Sequence, residues 1–102
     1  MNKEQFLSLG RKTTKIKIDS LDQEINIKEL SYKGAIELAQ AINPVDRAVL
    51  TLIYSVCDEQ GNLIFTKEDK DLVSETFTFT VIQEIAVAIS KLTKVDAKET
   101  VK

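Results

Sequence analysis

Histidine is absent from this sequence, and cysteine, proline and glycine are scarce, with one, one and three copies in 102 residues. Without an imidazole there is no common general base near neutral pH, no Ser-His or Cys-His nucleophile pair and no histidine metal ligand. Cys57 alone closes no internal disulfide; following an apolar run with no activating partner, it reads as a small core residue rather than a nucleophile. Gly10, Gly34 and Gly61 stand too far apart to form a phosphate-cradling loop. No signal-peptide pattern and no apolar run of transmembrane length occurs, so a reducing cytoplasm is the expected compartment and a membrane is not an expected partner.

Charge is nearly balanced, with a net value of -2 and a pI near 5.2, but it is unevenly spread. Lys3, Arg11, Lys12, Lys15 and Lys17 outnumber Glu4 and Asp19 at the N-terminus, leaving a basic arm on an acidic body. Nucleic-acid binding calls for clustered arginines and stacking aromatics, whereas residues 11–18 carry one arginine and no aromatic. The sequence therefore argues against nucleic acid as a partner. A calcium loop fails as well: with Gly61 at its sixth position, Val56 and Lys67 fall where the acidic ligands belong. The adjacent acids Asp58-Glu59 and Glu68-Asp69 read as turn and cap groups rather than an acid-base pair. No catalytic, cofactor-binding or metal-ligating residue is assigned, and no enzymatic role is expected.

What is present is periodicity. Phe6, Leu7 and Leu9 before Gly10 fit a short helical turn. Thr14–Asp19 and Glu24–Glu29 alternate polar and apolar residues around Ser-Leu-Asp-Gln, which predicts a β-hairpin. A lone hairpin is marginal in water, so its isoleucine face requires a covering helix. Ser31 is a natural N-cap for a helix carrying Tyr32, Ala35, Ile36, Ala39 and Ile42 at helical spacing. Asn43-Pro44 then marks a joint, and a second helix is predicted from Pro44 to about Cys57 with Val45, Val49, Leu52, Ile53 and Val56 in one stripe. So little polar face remains over 50–56 that the segment is read as deeply buried or as a subunit interface.

Asp58-Glu59-Gln60-Gly61 ends that helix in a turn suited to a glycine with positive φ. Leu63, Ile64 and Phe65 make an apolar plug in which Leu63 and Phe65 are expected core anchors, and Thr66 with Asp69 resembles a capping box for a helix over 67–75. Residues 76–81, Thr-Phe-Thr-Phe-Thr-Val, alternate as a strand would. Phe77, Val81 and Ile85 also repeat every four residues, which favours a last helix over 75–93. The expected fold is α+β, an N-terminal β-hairpin packed on a mainly helical body of three to four helices. Residues 1–94 are read as one domain and 95–102 as a polar, frayed tail.

The order of these phrases resembles the tail assembly chaperones of long-tailed phages (siphophages) and prophages, in their short unfused form. The matching elements are Lys3-Glu4-Gln5-Phe6-Leu7-Ser8-Leu9, a hairpin closing in Ile25-x-Ile27-x-Glu29-Leu30-Ser31, and an apolar helix. They continue through Cys57-Asp58-Glu59-x-Gly61-Asn62 and Phe65-Thr66-x-Glu68-Asp69 to a closing helix, covering nearly the whole chain. The resemblance implies a non-virion factor of the bacterial host cytoplasm that binds the tape measure protein and helps recruit tail tube subunits. It also implies a longer frameshifted form of the same chain, and it implies no cofactor. The alternative is a small structural tail or connector component retained in the virion.

A chaperone for long apolar helices needs exposed hydrophobic surface. Candidates for partner binding or self-association are Phe77, Phe79, Ile82, Ile85 and Ile89 of the last helix, with Leu52 and Val56 of the apolar helix before it. Each has an intramolecular core reading beside the partner reading. Phe77 and Phe79 cannot share one narrow helical stripe. Homo-oligomerisation would satisfy both readings.

Overall fold

The computed structural model describes residues 1–93 and shows an α+β architecture. The elements are α1 (Lys3–Leu7), β1 (Thr13–Ile18), β2 (Gln23–Lys28), α2 (Tyr32–Gln40), α3 (Pro44–Ser55), β3 (Val56–Cys57), α4 (Lys70–Thr76, entered through a 3₁₀ turn over Lys67–Asp69) and α5 (Phe79–Thr93). The polar tail from Val95 onward lies outside the described residues.

The predicted hairpin forms with Ile16 opposite Ile25, but its loop is Asp19–Asp22, one residue earlier than the expected turn. Asp22 takes a φ of 55°, a conformation aspartate tolerates, and its N–H and that of Leu21 both donate to the Ile18 carbonyl, at 2.9 and 3.0 Å. The covering helix is α5, which packs against both β1 and β2 and buries Ile18 and Ile27. On its other side α5 packs along α3. Val49, Leu52 and Ile53 thereby join Val81, Ile82, Ile85 and Ile89 in one core.

Two expectations about the apolar helix and the plug that follows it need correction. It stops at Ser55, and Val56-Cys57 leave it to form a third strand antiparallel to β2, with Val56 opposite Ile27 and Cys57 opposite Asn26. Pairing with the open edge of β2 outweighs two further residues of helix, and valine suits the change. The chain then reverses through a tight turn. The Asp58 carboxylate accepts from the N–H groups of Gln60 and Asn62, both at 2.9 Å, and Gly61 sits at φ 86° as its sequence context predicts. Leu63 bridges back to Cys57 yet is 41% exposed, so of the two expected anchors only Phe65 packs on the core. The turn places Leu63 on the solvent side.

A Cβ at Gly61 would stand 3.2 Å from Thr13 Oγ1 and 3.3 Å from Lys28 Cε, in addition to the backbone strain. Gly61→Val is therefore expected to destabilise the fold by about 1–2 kcal/mol. Urea denaturation measures this, and an unchanged midpoint would refute it.

The Thr66–Asp69 capping box is present, with the Asp69 carboxylate accepting from the Thr66 N–H at 2.9 Å. The alternating segment 76–81 is neither a strand nor the start of one long helix. α4 ends at Thr76, Phe77 is extended (φ -106°, ψ 151°), and the Thr78 hydroxyl accepts from the Val81 N–H at 3.2 Å to open α5. The predicted continuous helix over 75–93 is thus cut at Phe77-Thr78, because threonine offers the backbone a cap exactly where a helix interior would give it none.

Candidate partner-binding surface

Tertiary packing divides the seven residues singled out in the sequence. Leu52, Val56, Ile82, Ile85 and Ile89 are buried, from 0% exposed at Ile89 to 7% at Val56 and Ile82, so their side chains serve the core of this chain. Their helical or strand positions face α5, α3 and the sheet, which leaves them no free face for a partner. Phe77 is half-buried against that core, while Phe79, one turn-residue beyond the cap, is 78% exposed.

Phe77 and Phe79 flank an open apolar cavity of about 320 Å³ between the start of α3 and the start of α5. Pro44, Ala48 and Val49 form one wall, Ile82 and Gln83 the other, with Ser74 at the α4 end. The break at Phe77-Thr78 creates this hollow: a continuous helix would have directed the two phenyl rings around one cylinder. The cavity holds no titratable group, so what it offers is apolar contact.

A second surface was not among the sequence candidates. On α2 the stripe Tyr32, Ala35, Ile36 and Ala39 faces solvent, continuing to Ile42, which is 93% exposed. The helix is held from its other side. Gly34 sits against the Tyr54 ring: a Cβ there would stand 3.4 Å from the ring and 3.2 Å from the Ser31 hydroxyl that caps the helix. The Tyr54 hydroxyl donates to Glu37, which Lys67 also reaches at 3.5 Å. Burial, followed by the bond to Glu37, pushes the Tyr54 hydroxyl up to about 12, and that same bond lowers the Glu37 carboxyl. Helical spacing exposes such a stripe in the sequence but does not say which side of the helix the body occupies. Two residues past Ile42, Pro44 reaches the lip of the Phe79 cavity.

The N-terminal arm adds Phe6, Leu7 and Leu9, each more than 60% exposed. Its Arg11 is structurally engaged, donating to the carbonyls of Glu29 at 3.2 Å and Tyr54 at 3.3 Å, and Lys12 donates to the Ser8 carbonyl at 3.1 Å. Among the described residues no group of three or more Cys, Asp or Glu side chains is placed to hold a metal ion, and no helix is long and apolar enough to cross a membrane. Cys57 is buried, with its sulfur 3.9 Å from Thr13 Oγ1.

The hairpin is latched to α5 by Glu84. Its carboxylate accepts from the Asp19 N–H at 2.7 Å, the Ser20 N–H at 3.1 Å and the Ser20 hydroxyl at 2.7 Å. The Ser20 side chain, then the two amides, hold the Glu84 carboxyl below its ordinary value of 4.5 against a smaller opposing effect of desolvation. A depressed folded value means the latch stabilises fully above the ordinary carboxylate range and is lost as pH falls through the folded value. Glu84→Gln is therefore expected to lower the urea midpoint at neutral pH, with the two proteins converging in acid. Parallel midpoints at every pH would refute the latch.

No protein-family model matches the sequence, and no curated protein matches it. Among solved structures the chain is similar to the bacteriophage HK97 tail assembly chaperone, at a TM-score of 0.64 and 11% identity, over 85% of this chain and 94% of that one. The resemblance read in the sequence is thus met by a shared fold.

Proposed function

We propose that this chain is a phage tail assembly chaperone that binds the tape measure protein, helps bring tail tube subunits to it, and is left out of the mature virion. The fold shared with the HK97 chaperone over nearly the full length of both chains carries this reading. The exposed apolar surfaces support it physically. Phe79 with its cavity, the α2 stripe and the arm leave large apolar side chains in water, and such surface is the means of holding an amphipathic helix soluble. In this reading the protein works in the bacterial host cytoplasm, self-associates, and acts together with a longer frameshifted form of itself.

The test is co-expression with a tape measure protein. The partner is expected in the soluble fraction and in a pull-down with this chain, with the chain present in assembly intermediates and missing from purified virions. Failure of the pull-down rejects the chaperone role. Recovery of the chain from virions transfers it to the structural tail components.

A further inference from the structure

Among the described residues the sheet order β1-β2-β3 leaves one edge of β1 without a strand partner. A groove of about 600 Å³ runs beside that edge, with Ile16, Lys17 and Ile18 on one side and Val87 and Leu92 of α5 on the other. Lys17 lies on the exposed face of β1 whereas Ile16 and Ile18 turn toward the body. One hollow bounded by all three must follow the edge of the strand, since successive side chains point to opposite faces. Unpaired N–H and C=O groups along such an edge are a template for another strand.

The side chains select the occupant. Lys15 stands opposite Asn26 and has no ion-pair partner among the described residues, and Lys17 meets the exposed Asp22 at 3.1 Å in a surface pair of the kind that contributes little. Glu84, the acid beside the groove, is taken up by the hairpin loop. Lys17 also stands opposite the exposed Glu24 of β2, so Lys15 is the cation of the outer face with no acid facing it, and the inner wall is apolar. A second copy of β1 laid antiparallel about Ile16 would set Lys15 against Lys17, and like charges directly opposed destabilise a sheet. A nucleic-acid strand would find no aromatic side chain on β1 to stack on.

We propose that the free edge of β1 is a strand-addition site for an extended segment of a partner protein in which acidic residues alternate with apolar ones. The segment's main chain pairs with β1, its acids meet Lys15 and Lys17 on the outer face, and its apolar side chains enter the groove against Val87 and Leu92. This site meets the Phe79 cavity only at Gln83, which borders both, and it stands or falls independently of the tail-assembly reading.

The experiment uses the full chain, isotopically labelled for NMR, with a short peptide of alternating valine and glutamate and its lysine counterpart. The glutamate peptide is expected to protect every second β1 amide from hydrogen exchange and to leave the amides around Phe79 unchanged. Lys15→Glu, at an exposed position, is expected to weaken that peptide roughly tenfold and to reverse the preference toward the lysine peptide. Val87→Glu on the groove wall should weaken it as well. Equal binding of both peptides, no alternation in protection, or shifts confined to the Phe79 cavity would overturn the proposal. A thymidine oligonucleotide that shifts β1 without protecting its amides would also overturn it, assigning the lysines to phosphate; no binding at all would leave them as guards against edge aggregation.

Discussion

Phe79→Asp is expected to leave the chain folded and to weaken its hold on the tape measure protein sharply. The side chain is 78% exposed, so little packing is lost. It is the first residue of α5, immediately after the Thr78 cap, where a carboxylate interacts favourably with the helix dipole by about 0.3–1 kcal/mol. At the same time the change puts a charge at the mouth of an apolar cavity. A buried aromatic anchor at an interface contributes about 2 kcal/mol or more, so affinity should fall roughly thirtyfold. Thermal melts and co-expression measure the two effects separately. Retained solubilisation of the tape measure protein by a well-folded variant would remove the cavity from the proposed function and leave the α2 stripe and the N-terminal arm as its exposed apolar surfaces.

Leu52→Ala is expected to act in the opposite way, on stability and not on recognition. Leu52 is 1% exposed on α3 and belongs to the core shared with α5. Truncating a buried leucine costs about 2–5 kcal/mol through lost burial and the cavity left behind. Against a total stability of about 5–15 kcal/mol this is a large fraction, and for a domain of this size it lowers the Tm by roughly 10–30 °C. Calorimetry or urea denaturation checks the loss. At a temperature where the variant is still folded, its pull-down of the tape measure protein should match the unmodified chain. If binding instead disappears while the melt is unchanged, Leu52 contacts the partner and the packing of α3 on α5 is not what its burial indicates.

Much of the fold was legible because its signals are local. The hairpin followed from the alternation around Ile16, Ile18, Ile25 and Ile27, the turn from Asp58 and Gly61, and the start of the 3₁₀ turn from Thr66 and Asp69. In each case the residues that make the bonds lie within a few positions of one another. The misread places are those where a distant element competes with a local preference. Val56-Cys57 leave their helix because β2, some thirty residues earlier, offers an edge to pair with. The cut at Phe77-Thr78 allows α4 and α5 to diverge, so that α5 lies across the hairpin while α4 stays on α3.

For the candidate surface the sequence singled out seven residues, of which only Phe79 is exposed and Phe77 half-buried. Apolar spacing identifies Ile82, Ile85 and Ile89 as a stripe, and in a chain this short most stripes are consumed by the core. The stripe on α2 obeys the same spacing and is left in water, because Gly34, Tyr54 and Glu37 fasten the helix by its opposite side.

The sequence by itself determined the absence of histidine chemistry, the α+β class, the turn at Gly61, the caps at Ser31 and Thr66 and the set of apolar faces. These depend on composition and on neighbours a few residues apart. Only the tertiary structure decided which apolar faces cover one another and which remain exposed, that β1 keeps a free edge among the described residues, and that Phe79 stands outside the core while Phe77 leans into it. Burial is a relation between segments distant in the chain, and no periodicity within one segment specifies the other side of the contact.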